Sequence, residues 1–475
     1  MLCYDKTVDI TPAIKYNKIQ FYITENIIKN TKSTTKGSHA MSYEEIYNSK
    51  LMSAEEAVKA HIKSGDKICL GGLSIADKVL SAVINDVKAG NLEDISFYGN
   101  MSTDPIGLDD KDIPKDKFRY YAFFNGANER AGAANGVVTN VPLHLSRTED
   151  YFTFVDPDVA VVPMTPPDEH GYCNIGPAGY SPSQINHSKK IIAQINKYMP
   201  RVYGSSHNYH VSEIAAFVEN HNDAVVPPSA PPSPLEEKIA SYILERIPDG
   251  ACIQLGIGGT ANAVGYGLKD KKHLGIHSEM YTDSMAYLQS IGAVDNSQKT
   301  FMPGLSVAGF AFNTEQTNKF INNNPKVYFT PYHYVNDIRN IAANDNMISI
   351  NTSLSIDLMC QLCSESIGYR QYSGSGGQVD YIRGATLSKG GKSFIAVSSV
   401  ANTKNGPVSK ICLSLAEGST VTTLRAETMY VVTEYGCVNL QFCDIPTRAK
   451  KLISIAHPDF RDELTFEAKK KGLIY

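Results

Sequence analysis

The chain has 475 residues, too many for a single hydrophobic core, so two or three domains are expected. With 42% apolar residues, 20% charged residues and a net charge of −4, it has a globular composition and no electrostatic footprint for nucleic acid or an anionic membrane. No apolar run approaches the ~20 residues of a membrane span, and nine scattered cysteines suit the reduced thiols of a cytoplasmic protein rather than a disulfide scaffold.

In chain order, residues 1–40 stand apart. They are rich in Asn, Lys, Thr and Ile, and "GSHA" ahead of Met41 reads either as a vector-derived scar or as a floppy extension. A first domain is expected over 41–226, a stiff proline-rich linker over 227–234 inside "VVPPSAPPSPLEE", and a second domain over 235–475. The two halves begin alike. Each has an early Glu-Glu pair on an amphipathic helix, a Gly-Asp or Asp-Gly turn, and a short apolar strand (Ile68–Leu70, Ile253–Leu255). A glycine-rich turn and a second helix follow. Further short β-branched runs, 159–164, 190–195, 347–350, 393–399 and 429–436, alternate with helical segments. The pattern predicts an α/β protein of two related, open, mostly parallel sheets, with its chemistry in loops at the carboxyl ends of strands.

Four such loops lie in the second half. Residues 256–260 (Gly256, Ile257, Gly258, Gly259, Thr260) open a helix, where backbone amides favour an anionic ligand; tight strand-to-helix packing explains the glycines as well. "LGIHSEMYTDS" reads as a strand that stops at Ser278 and presents Glu279, as a helix-start charge, a metal ligand or a reactive group. Asn351 follows a buried strand, as an amide contact or a turn former. Gly374, Gly376 and Gly377 are costly to order, and their use is to bring N–H groups to a ligand or oxyanion. His277 shares a face with Glu279 and suits a packed or orienting role. Cys360 and Cys363 read as core thiols, and no metal site is expected.

In order and spacing, "GIGG…NAV", "HLGIHSEMYTD", "SGSGGQVDYIRGA", "SKGGKSFIAVSS", "VTEYG" and "IAHPDFRDEL" resemble the acetyl-CoA hydrolase/transferase branch of the class I CoA-transferases, from about Tyr43 to the C-terminus. Within it the likeness is greatest to 4-hydroxybutyrate and butyryl-CoA:acetate CoA-transferases. The resemblance implies the CoA-transferase fold with the active site in the cleft between two duplicated domains. It implies Glu279 as covalent nucleophile and Gly377 as an oxyanion donor. It also implies CoA contacts from Gly256, Ile257, Gly258, Gly259, Thr260, Asn351, Leu354, Gly376, Gly377 and, less directly, Lys392. The family usually has proline where this chain has Ala261. CoA is then a substrate, transiently covalent, with no tightly bound cofactor. The partners are acyl-CoA and short-chain acids, with neither nucleic acid nor membrane, and the assembly is a homodimer or homotetramer.

A glutamate near its reference pKa of about 4.3 is ionised at neutral pH and attacks without a general base. The expected reaction is ping-pong CoA transfer through an acyl-glutamyl anhydride and a glutamyl-CoA thioester. Acyl-CoA hydrolysis on the same glutamate is the first rival, and a non-catalytic metabolite sensor is the second. Acyl preference is expected to lie with first-half loops near Gly71–Ser74 and "PPDEHGYCNIG".

Overall fold

Each half opens with the same helix-start chemistry. Ser53 and Ser233 accept hydrogen bonds from the backbone N–H of Glu56 and Glu236, and those carboxylates accept the serine N–H in return. These capping boxes start helices Ala54–His61 and Pro234–Leu244. A buried strand follows in each half, Lys67–Leu70 or Cys252–Leu255, and then a second helix, Asp77–Ala89 or Gly259–Gly267. The computed structural model describes residues 41–71, 76–178, 181–223, 226, 230–312 and 314–475. The extension before Met41, the centre of the proline-rich stretch and most of the Gly71–Ser74 turn lie outside the described residues.

The first sheet is parallel throughout. In chain order its strands are Lys67–Leu70, Ile95–Gly99, Phe118–Ala122, Val138–Asn140, Val159–Met164, Lys190–Ile195 and Ala216–Glu219. The second sheet repeats the series with Cys252–Leu255, Gly275–Tyr281, Ser306–Ala311, Val327–Phe329, Met347–Thr352, Lys392–Ala396 and Tyr430–Thr433. From one edge, both sheets run seventh, sixth, fifth, first, second, third, fourth. Identical winding in two unlike sequences is what a duplication leaves behind. The winding reverses between the first and fifth strands, and ligands of open α/β sheets bind at such a switch point.

The second sheet is longer at both edges. Gly436–Asn439 adds antiparallel to its seventh strand. At the other edge Tyr203–Gly204 pairs parallel with Val327–Phe329, although it precedes the proline-rich stretch in sequence. The halves therefore share an element. They also share a core: one apolar cluster joins Cys69, Phe123, Phe152 and Met164 of the first half to Met280, Val307, Phe310 and Tyr332 of the second. This packing sets the carboxyl end of the second sheet's second strand against the first half.

Candidate active site

The strand that carries Glu279 does not stop at Ser278. It runs Gly275–Tyr281, so the glutamate lies inside the strand, two residues from its end. The following helix, Asp283–Ser290, is capped by Thr282 and has Asp283 in its first turn, which removes Glu279 from the role of helix-start charge. Strand alternation puts His277 and Glu279 on one face. His277 is fully buried, its Nε2 is 2.8 Å from the Val335 carbonyl, and it lies against the rings of Phe301 and Tyr381. Burial pulls its pKa down to about 3, so it stays neutral and packs. Across the next strand, Gly309 leaves room for the Tyr332 ring. A Cβ there would lie 3.1 Å from that ring and 2.9 Å from the Glu279 carbonyl.

Tyr332 belongs to a short helix, Tyr332–Val335, that delivers Asn336 to the carboxylate. Asn336 Nδ2 donates to Glu279 Oε2 at 2.7 Å and lies 3.5 Å from Asp380 Oδ2. Gly377 caps the helix Gln378–Leu387, and a Cβ on it would overlap both Glu279 Oε2 and Asn336 Nδ2. The nucleophile candidate thus sits beside a helix N-terminus, where unpaired N–H groups and the macrodipole favour developing negative charge.

The first half clamps this loop. Leu145 N–H donates to the Gly376 carbonyl at 3.2 Å, and Arg130 Nη1 donates to the Tyr372 carbonyl at 3.1 Å with its guanidinium 4.7 Å over the Tyr372 ring. Gly374 lies so close to the Phe123 and Phe124 backbone that no side chain fits. Gly376 adopts φ +57°, which glycine alone takes without strain. Ser146 donates its N–H (3.1 Å) and hydroxyl (2.7 Å) to Asp380. Of these groups, sequence reasoning passed over Asn336, Asp380, Ser146 and Arg130. Asp380 lay in plain view within "GGQVDYIRGA"; the others are distant in sequence and meet only through the fold.

Between the halves lies a cavity of about 1130 Å³. Gly256, Ile257, Gly259, Thr260, Glu279, Asn351, Leu354, Gly376 and Gly377 all line it. Gly258, at φ +126°, starts the helix there. Asn351 is fixed by a reciprocal amide pair with Gln254 (3.2 and 3.3 Å) and by Ser349 Oγ at 2.9 Å. A Cβ on Gly256 would come within 3.0 Å of Asn351 Oδ1, so the glycine allows strand and amide to approach. Lys392 does not reach the cavity. It begins its strand, at the end away from the ligand loops, and donates to the Arg246 carbonyl at 2.7 Å. Lys410 lines the cavity instead, with its Nζ 3.0 Å from Ser398 Oγ.

Glu279 does not keep an ordinary carboxylate pKa. Burial pushes it from 4.5 up to about 7; the Asn336 hydrogen bond opposes the rise and the Asp380 charge adds to it. Asp380 is raised as well, chiefly by burial and against the pull of the Ser146 hydrogen bonds. An ordinary pKa holds for a fully solvated carboxylate, whereas Glu279 is half-buried in a strand at the cavity wall. Among the described residues no cluster of three or more His, Cys, Asp and Glu could hold a metal ion.

A carboxylate inside a strand near its carboxyl end, glycines pressed against it and a cavity between two like-wound sheets define an enzyme of the CoA-transferase fold. The chain belongs to the acetyl-CoA hydrolase/transferase family: the N-terminal domain of that family matches residues 35–228 and the C-terminal domain matches residues 314–468. The chain is 40% identical to the 4-hydroxybutyrate coenzyme A transferase of Clostridium kluyveri, over 91% of this chain and 100% of that one. It is 37% identical to the butyryl-CoA:acetate CoA-transferase of Anaerostipes caccae, over 90% and 98%. The crystal structure of RipA from Yersinia pestis superposes with a TM-score of 0.84 at 36% identity, covering 91% of this chain and all of that one. Acetyl-CoA hydrolases of yeasts match at 26–27% identity over 65–67% of this chain. By its likeness to the nearer relatives this protein is a CoA-transferase.

Proposed function

We propose that the protein transfers CoA between a short-chain acyl-CoA, such as butyryl- or 4-hydroxybutyryl-CoA, and a carboxylate acceptor such as acetate, with Glu279 as the covalent nucleophile. The observation that carries this reading is the Glu279 carboxylate held at 2.7 Å by Asn336, against Gly377 at a helix N-terminus, in a cavity both halves line.

Ionised Glu279 attacks the thioester carbonyl; the C–S bond breaks, leaving an acyl-glutamyl anhydride and the CoA thiolate. The thiolate attacks the glutamyl carbonyl and expels the first carboxylate, leaving a glutamyl-CoA thioester. The acceptor carboxylate attacks that thioester, the thiolate returns to the acceptor's acyl carbon, and Glu279 leaves ionised. Each tetrahedral step places negative charge beside Gly377, where one backbone donor is worth ~3 kcal/mol. CoA is a substrate throughout, held by the 256–260 turn, Asn351 and Leu354. The thioester's energy survives only while water is kept from the anhydride and from the glutamyl thioester. More distant likeness to hydrolases makes hydrolysis the lesser reading.

The test is incubation with acyl-CoA, borohydride reduction and peptide mapping, alongside acyl transfer to acetate measured against CoA release without acetate. Modification confined to the Glu279 peptide and acetate-dependent turnover are expected. Retained transfer in Glu279→Ala would sink the mechanism, and dominant acetate-independent turnover would make the protein a hydrolase.

A further inference from the structure

Between Glu279 and the first half runs a chain of three polar side chains. The Asn336 amide nitrogen faces two carboxylates, Glu279 Oε2 at 2.7 Å and Asp380 Oδ2 at 3.5 Å. Behind it, Asp380 receives the N–H and hydroxyl of Ser146. Asn336 and Asp380 are 0% and 2% exposed, and neither lines the cavity, so neither is placed to touch substrate.

We infer that Asp380 is a positioning residue which acts on Glu279 through Asn336 and is itself held by Ser146 from the opposite half. The inference rests on the reading of Glu279 as nucleophile. Two carboxylates sharing one amide disfavour each other's ionisation, and hydrogen bonds decide which keeps the charge. Ser146 gives two donors to Asp380, so the charge is favoured there and the proton falls to Glu279. In the anhydride and the thioester Glu279 carries no charge, and the repulsion from Asp380 vanishes. Asp380 thereby raises free ionised Glu279 relative to its acylated forms. The groups facing Asp380 are Glu279 from its strand, Asn336 from the turn after Tyr332–Val335, and His144 and Ser146 from the first half; Tyr381 follows it on its own helix. Because Ser146 lies across the cleft, the nucleophile's ionisation depends on contact between the halves.

The experiment is the pH dependence of kcat/KM for acyl transfer to acetate in wild type, Asp380→Asn, Ser146→Ala and Ser146→Thr. Loss of the Asp380 charge is expected to move the acid limb down by about one pH unit or more. Ser146→Ala moves it the same way by less, and Ser146→Thr, which keeps the hydroxyl, retains the wild-type limb. An unmoved limb in Asp380→Asn and Ser146→Ala, with only lower kcat or Tm, overturns the inference and leaves a structural role. If Asp380→Asn does not fold, the Ser146 pair decides alone. Borohydride trapping on wild type separates the two readings. No adduct on Glu279 removes the nucleophile itself, whereas an adduct with an unmoved limb removes only the role of Asp380.

Discussion

Gly377 and the Glu279 carboxylate occupy adjoining space so tightly that a methyl group at 377 would overlap Glu279 Oε2. Gly377→Ala must therefore push the carboxylate, the Asn336 amide or the helix start out of place. Misplacement of this kind is expected to lower kcat/KM by about 10²-fold, with an overpacking cost of roughly 1–3 kcal/mol in stability. Steady-state transfer assays and thermal unfolding on one preparation check it. A variant with wild-type turnover would mean that the loop and the glutamate are not mechanistically coupled.

The pH profile of the wild type carries the Glu279 environment directly. With its pKa raised to about 7, activity should climb with pH and reach half its plateau near that value, about 2.5 units above an ordinary glutamate. The sign for stability is opposite. A carboxyl whose folded pKa is raised binds its proton more tightly when folded, so the folded state loses stability as pH rises from 4.5 to about 7. Glu279→Gln should unfold at a higher temperature than wild type above pH 7, and the difference should disappear near pH 4.5.

Asn336 lowers the pKa that burial raises, so its removal works against the change expected from Asp380→Asn. Asn336→Ala should shift the acid limb above 7 and cut kcat by about tenfold, the worth of one hydrogen bond to a charged group. A limb that moved down would reverse the assigned hydrogen-bond polarity.

Lys392, expected as a CoA contact from the resemblance, and Lys410, which lines the cavity, part company. Lys410→Ala should raise KM for acyl-CoA several-fold with kcat little changed, the mark of uniform binding. Lys392→Ala loses its bond to the Arg246 carbonyl and should cost about 1 kcal/mol of stability with KM unaltered. Equal effects on KM would place Lys392 nearer the ligand than its strand position does.

Much of this was legible in sequence because it depends on local pattern. Runs 159–164 and 190–195 became strands Val159–Met164 and Lys190–Ile195, since continuous apolar stretches suit a parallel sheet covered on both faces. The matched order of Glu-Glu pair, turn, apolar strand, glycine-rich turn and helix gave the repeat away, and the structure adds a serine cap at each start. Glu279 was singled out, but its strand was ended too early, because a charged residue inside a buried strand contradicts the local pattern unless a neighbour such as Asn336 compensates. Lys392 entered only through the family resemblance, and strand direction sends it to the end away from the ligand loops. The relay from Ser146 to Asp380 joins residues 234 positions apart and leaves no trace in any window of sequence.

The edge pairing of Tyr203–Gly204 with Val327–Phe329 bears on whether either half can exist alone. A fragment beginning at Ser233 would hold seven parallel strands yet leave the outer side of Val327–Phe329 bare, a row of unpaired N–H and C=O groups that recruits another chain. Such a fragment should self-associate on its own and return to a defined species when residues 41–223 are supplied in trans. Through this strand the edge of the second sheet is closed by a segment of the first half.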